Sequence, residues 1–332
     1  MKVLATVLLT SAVIWTVAAG ALALVVQPFG APITSHAPAV DPARLEQHVR
    51  KLSVELYPRS ADQPRQLAAA AAYIAAEFRA AGAAVELQPV LVQGTTYHNV
   101  IARFGPRQGP VMVIGAHYDS HGRQQAAPPT PASHTPGADD NASGVAGLIE
   151  LAHLLGRHPP ARSVELVAYT LEEPPYFRTE HMGSAWHARA LKASGRAVQL
   201  MLSLEMIGYF SDAPGSQSYP VPAMKRLYPE RGNFIALVGK FGDFGITRRA
   251  RAIMAGATDL PVESLNAPPA VQGIDYSDHR SYWHEGFPAL MVTDSAFMRN
   301  PNYHKASDSA DTLDYVRAAK VVQSVFALTS LY

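Results

Sequence analysis

Five short stretches of this chain concentrate groups that hold metals or move protons. His117 and Asp119 close the apolar run "VMVIGAHYDS", two residues apart and so on one side of an extended chain. An imidazole there can bind a metal through one nitrogen while the other donates to a carboxylate that fixes its tautomer. Glu172 and Glu173 close "SVELVAYTLEEPPYF". Neighbours on an extended segment point in different directions, so one acid can hold a metal while the other serves as a general base. Pro174 and Pro175 keep that end extended, since a residue before proline avoids the α region. Glu205 is the single charge in "VQLMLSLEMIGYF", and a lone buried carboxylate is costly unless paired or metal-bound. His304 stands in the polar "NPNYHKASDSADTLDY", and Asp139 and Asp140 stand together in "GADDNASGVAGLIELA", where a helix begins.

Each stretch alone has an ordinary explanation: a helix cap, a strand end, a solvated acidic turn, an exposed loop histidine. One acid would suffice to cap the helix, so the second needs another task. Together, two histidines and several carboxylates form a nitrogen-and-oxygen donor set suited to zinc, with too many donors for one tetrahedral ion. Two ions about 3.5–4 Å apart, bridged by a carboxylate and a water, would use them all. One acid of "ADDNASG" then bridges the metals and Asn141 caps the helix.

The elements that must position these groups alternate. "LEQHVRKLSVEL" and "QPRQLAAAAAYIAAEFRAAG" read as helices, followed by strand candidates at Val85–Val92, His98–Phe104, Val111–His117 and Ser163–Thr170. Further strands are expected at Gln199–Ile207, Asn233–Gly239, Pro261–Leu265 and Pro288–Thr293, with helices at Ala142–Leu155, Ser184–Ala193, Thr247–Gly256 and Thr312–Leu328. This order predicts an α/β fold with a central sheet of about eight strands and helices on both faces. The short "QGTTY" link between the first two strands makes a hairpin and the sheet mixed. Two long irregular stretches, between Asp119 and Asp139 and after Gly208, begin where strands end, as ligand-binding loops do in open α/β sheets.

The chain has 332 residues, 48% hydrophobic and 17% charged, enough for one large core. A formal net charge of +1 with scattered Lys and Arg gives no basis for nucleic-acid binding. Without cysteine, any metal must be held by His, Asp and Glu. Residues 1–27 hold a charge-free apolar run from Val3 to Val26, read either as a cleavable signal peptide with Ala21-Leu22-Ala23 before the cut or as an uncleaved signal anchor. Both readings place the remainder across a membrane, periplasmic, secreted or anchored outside the cytoplasm. Residues 28–44 read as a Pro/Ala-rich linker and residues 45–332 as a single catalytic domain.

From about Leu45 onward the chain resembles the secreted and periplasmic zinc aminopeptidases with paired metals, relatives of the glutamate carboxypeptidases and glutaminyl cyclases. The resemblance rests on "GAHYDS", "GADDNASG", "LEEPPYF" with "GSAWHA", "SLEMIG", "YSDHRSYWHEGFPA" and "NYHKASDSADT" in that order. It implies His117, Asp140 and Glu205 around one zinc and Asp140, Glu173 and His304 around the other, with Asp140 bridging and its peptide to Asn141 cis. It also implies Glu172 as general base, Asp119 as the residue orienting His117, and a peptide or aminoacyl substrate cut at its N-terminal bond. Many members have aspartate where this chain has Glu205. Alternatives within the resemblance are a glutaminyl cyclase with one zinc and a glutamate carboxypeptidase. The latter needs an arginine cluster, for which Arg178, Arg226, Arg231 and Arg248 are candidates. A metal-free receptor domain on the same fold would have lost ligands, and here each is present. Consecutive Ser277, Asp278 and His279 in "YSDH" cannot form a catalytic triad among themselves.

Overall fold

A computed structural model describes residues 2–26, 30–122 and 134–332. Eight strands form one sheet: β1 (Ala84–Val92), β2 (Thr95–Phe104), β3 (Val111–His117), β4 (Ser163–Tyr169), β5 (Val198–Glu205), β6 (Ile235–Lys240), β7 (Val262–Ala267) and β8 (Ala289–Thr293). Their spatial order is β1-β2-β4-β3-β5-β8-β6-β7. The inner strands β4, β3, β5 and β8 are mutually parallel, whereas β1, β2 and β6 meet their neighbours β2, β4 and β8 antiparallel. Every residue of β3 and β4 is buried, as parallel strands covered on both faces must be. The expected β1–β2 hairpin forms, turning through Gln93 and Gly94, both at positive φ (49° and 82°), the conformation of a two-residue hairpin turn.

The helices are α1 (Lys2–Val26), α2 (Pro42–Arg50), α3 (Pro64–Ala80), α4 (Gly144–Arg157), α5 (Gly183–Ala193), α6 (Phe244–Ala255), α7 (His279–His284) and α8 (Tyr315–Leu331). Apolar side chains of α2, α3, α4, α6 and α8 build the large core on one face of the sheet. A smaller core under α5 and α7 covers the other. From β3 the chain crosses through α4 to β4 on one side, then through α5 to β5 on the other. The sheet therefore reverses its winding at β3, and the crevice at its carboxyl end is where open α/β sheets place ligands.

Element boundaries moved where local backbone chemistry intervened. The strand expected to run to Ile207 stops at Glu205, because Met206 turns to a φ of 49°. The last helix starts at Tyr315 rather than Thr312, since Asp314 accepts from the Arg317 N–H at 2.9 Å and caps it there. Helix α7 was not expected. Among the described residues no helix is long and apolar enough to cross a membrane. Within residues 28–44, the Ile33 and Ser35 amides donate to carbonyls of Ala252 and Gly256 (2.8 and 3.2 Å), so this segment runs along α6. Most of the long stretch between Asp119 and Asp139 lies outside the described residues.

Candidate active site

The carboxyl ends of the four parallel strands bring the candidate donors together. His117 is the last residue of β3 and Glu205 the last of β5, while Glu172 and Glu173 follow β4. Asp140 lies on the turn into α4 and His304 on the loop between β8 and α8. His117 Nε2 is 3.3 Å from Asp140 Oδ1 and 3.3 Å from Glu205 Oε2, yet hydrogen-bonds to neither. His304 Nε2 is 3.1 Å from Asp140 Oδ2 and 3.4 Å from Glu173 Oε2. Donors about 2.0–2.2 Å from a tetrahedral zinc stand roughly 3.3–3.5 Å apart. The observed separations match the edges of two such polyhedra sharing Asp140. Glu172 Oε2 is farther from His117 Nε2, at 4.0 Å. A further histidine, His121, groups with Glu173 and His304, one donor atom from each lying within 4.8 Å of the others.

The paired acids before α4 do different work. Asp140 faces the cluster, and its peptide to Asn141 is cis. Asp139 points away: its carboxylate accepts from the Gly208 N–H at 2.9 Å and from Asn300 Nδ2 at 2.7 Å, tying down the start of the long loop. Asn141, expected to cap, accepts from the Gly144 N–H (3.2 Å) and also from the Met206 N–H (3.1 Å), which secures the end of β5. Gly144 cannot be larger, since a Cβ there would lie 2.7 Å from the Leu204 carbonyl oxygen.

Asp119 was expected to orient His117. The Nδ1 of that imidazole is 3.1 Å from the Asp119 carbonyl oxygen and 3.5 Å from its carboxylate. The carboxylate itself accepts from the amides of Glu172 (3.1 Å) and Glu173 (3.0 Å), so Asp119 also sets the backbone of the acid pair. Glu205, the departure from the usual aspartate, is held by Ser277 Oγ at 2.7 Å, and Ser277 in turn meets Ser203 Oγ at 2.7 Å. This gives part of "YSDH" a supporting task. His279 is fully buried, with Nε2 2.8 Å from the Ile274 carbonyl oxygen.

Sequence reasoning missed three supports. Arg59 is fully buried and donates to the carbonyls of Leu52, Tyr118, Pro136 and Gly137 at 2.6–3.0 Å, lashing together the loops that carry Asp119 and Asp140. Asp308 accepts from the amides of Asp139 (2.9 Å) and Asp140 (3.1 Å). His121 is the third. Arg59 stands in an unremarkable loop sequence with no local signal. Asp308 and His121 both lie within or beside quoted motifs, as extra polar residues beyond those the resemblance assigned.

The electrostatics describe a shell short of positive charge. Burial raises the Glu172 and Glu173 carboxyls well above their ordinary range, and the carboxylates around them add to the push. Burial also raises Glu205. Burial works against ionisation of Asp140 too, but the imidazoles of His117 and His304 hold it below the usual carboxylate range. Buried and without hydrogen-bond partners, His117 Nε2 and Glu173 Oε1 face this cluster. An N/O donor set of this composition and spacing fits zinc.

A cleft opens beside the centre. Its floor is one face of the sheet, where Glu205, Thr293, Ala236 and Glu263 are paired in a row across β5, β8, β6 and β7. That row spans roughly 14–15 Å, three strand spacings. Tyr219, Met224 and Tyr228, from the long loop after Gly208, also line the cleft. The arginines considered for a carboxylate pocket are engaged otherwise: Arg178 pairs with Asp275 and stacks 4.8 Å from the ring of the cleft residue Tyr276, and Arg231 donates to the Asp212 carbonyl oxygen at 2.9 Å. Neither they nor Arg226 and Arg248 line the cleft.

The profile described as Peptidase family M28 matches residues 99–329. The chain is 48% identical over 302 residues to the uncharacterized protein YfbL of Escherichia coli K12, covering 91% of this chain and 92% of that one. It is 26% identical over 224 residues to leucine aminopeptidase 1 of Uncinocarpus reesii, covering 65% of this chain, and spans about half (50%) of that relative's length. In three dimensions it resembles the Bacteroides thetaiotaomicron glutaminyl cyclase crystallised with N-acetylhistamine, with a TM-score of 0.65 at 19% identity over 88% of this chain and 98% of that one.

Proposed function

Because the chain belongs to peptidase family M28 and is thus a zinc peptidase, we propose that it is a two-zinc aminopeptidase that hydrolyses the first peptide bond of substrates with a free amino terminus. One observation carries this reading. Among the described residues, the cleft beside the metal centre is lined by apolar and neutral polar side chains, and its only charged members are the acids Glu205 and Glu263. Such a site attracts an ammonium group and a bulky apolar side chain, and it offers no cation to a C-terminal carboxylate.

His117, Asp140 and Glu205 hold one ion and Asp140, Glu173 and His304 the other. When bound, zinc supplies Lewis acidity toward the carbonyl oxygen and lowers the pKa of a water. Glu172, not needed in either donor set, would serve as the general base that takes a proton from the attacking water and returns it to the leaving amine. Asp119 keeps Glu172 in place through its backbone amide, and the acids around Glu173 and His304 receive the substrate's α-ammonium. Export belongs to the same reading, supported by the apolar N-terminal segment, which forms the single helix α1.

The test is a substrate screen with zinc-reconstituted protein. Aminoacyl amides with Leu, Phe or Met first should be cleaved, and N-acetylation of the same compounds should abolish turnover. Release of C-terminal glutamate, or cyclisation of glutaminyl peptides without hydrolysis, would overturn the proposal.

A further inference from the structure

His121 follows His117 by four residues, past the end of β3. Its carbonyl oxygen accepts from both the amide and the hydroxyl of Thr135, at 3.1 and 3.3 Å, so its backbone is fixed. The ring is buried, and its Nε2 has no hydrogen-bond partner. A metal-binding imidazole is held in this way, its position fixed by the protein and one ring nitrogen left bare. A buried, unpaired ring nitrogen is otherwise destabilising, so a fold that keeps one needs a reason to do so.

The residue borders the second half of the centre. A donor atom of His121 lies within 4.8 Å of donor atoms of both Glu173 and His304. The His121 ring is 4.0 Å from the His304 ring, and Tyr303 stacks on His304 at 3.8 Å. We infer that His121 is a fourth protein donor to the ion held by Asp140, Glu173 and His304, an inference that rests on the paired-ion reading above.

The consequence is an asymmetric pair. The ion near His304 has four protein donors, the number that closes a structural zinc site. The ion near His117 has three, the number that leaves a position open for chemistry, and Glu172 lies on that side. The His304 ion is therefore the tightly held one and the His117 ion the exchangeable one. A competing explanation is that His121 only packs against His304, so the experiment must separate ring contact from ligation.

Zinc affinity is measured by titration against a chromophoric chelator for the wild-type chain, His121→Ala, His121→Phe and His304→Ala, with circular dichroism to check folding. The inference expects both His121 variants to weaken one of two ions at least tenfold, the size already seen for losing an outer partner of a ligand. His121→Ala placed in His304→Ala should add little, because both act on the same ion. X-ray absorption of the wild-type zinc protein, which needs no variant, should count three imidazoles shared by two ions rather than two. His121→Phe with wild-type affinity for both ions, or an absorption fit with two imidazoles, would overturn the inference. If the wild-type chain takes up only one ion, the paired-ion reading fails. His121 is then retained only if His121→Phe weakens that ion.

Discussion

Strand β4 carries Glu165 near its start and leads, past Tyr169, to Glu172 and Glu173, and all three carboxyls are buried. Their surroundings are opposite. Glu165 has three nitrogen bases around it: Arg103 Nε at 3.0 Å, His187 Nε2 at 3.3 Å and Arg196 Nη1 at 3.8 Å. Burial opposes ionisation there as well, but His187 and Arg103 prevail and hold the carboxyl down to about 2. Glu172 and Glu173 share two histidines with Asp140 and Glu205, and burial pushes both well up. A buried acid whose counter-charges come from the protein is a structural strut. A buried acid group whose counter-charges do not suffice is a shell built for a cation from outside.

That contrast can be broken in several places. The largest effect is expected at Glu172→Gln, which should keep both metals and lose roughly 100- to 10,000-fold in kcat, because the amide cannot accept the water's proton. Near-normal turnover in a metal-replete variant would remove Glu172 from the role of base. Next comes Glu205. Glu205→Ala should weaken the ion shared with His117 by about 10- to 100-fold and leave the other in place. Glu205→Asp should fall between, since the shorter acid keeps its charge but stands farther from that ion and from Ser277 Oγ. Zinc titration that finds the Asp variant unchanged would show the strand end to be more adaptable than its hydrogen bonds indicate.

Stability separates the two acid clusters by sign. Glu165→Gln should destabilise the protein by about 2 kcal/mol with or without zinc, less than for a fully buried pair because Arg103 remains partly hydrated. Glu173→Gln should do the reverse in metal-free protein, raising the melting temperature by relieving repulsion, and lower it once zinc is bound. Melting curves of both variants with and without chelator would decide. A fall for Glu173→Gln in both conditions would refute the view of an unpaired shell.

The pH dependence follows from the same comparison. The Glu165 carboxyl moves from an ordinary value of 4.5 to about 2 in the fold. A depressed acid contributes fully above its unfolded value, so its stabilisation should be intact above pH 4.5 and disappear as pH falls through 2. Glu165→Gln should flatten the acid limb of a stability profile over that window. This is the smallest effect, and denaturant midpoints at stepped pH would measure it.

Much of this molecule was legible along the chain. All eight strands and the helices α2 to α6 and α8 were read from local pattern, the strands as short apolar, β-branched runs and the helices from a 3.6-residue apolar period, and neither signal needs knowledge of neighbours. The strand-end placement of His117, Glu172 and Glu173 was equally local, since each acid or imidazole closes an apolar run, whereas Glu205 was expected two residues inside its strand. What the chain could not reveal was partnership. Asp139 and Asp140 are adjacent and chemically identical, and only the hydrogen bonds to Gly208 and Asn300 turn one of them away from the centre. Arg59 reaches its carbonyls across loops up to 78 residues distant in sequence, and Glu165 and Glu173 differ only in which cations the crossovers bring near. Local periodicity sets which side of an element is buried; which charges then meet inside is decided by strand order and crossover, and only the folded sheet determines those.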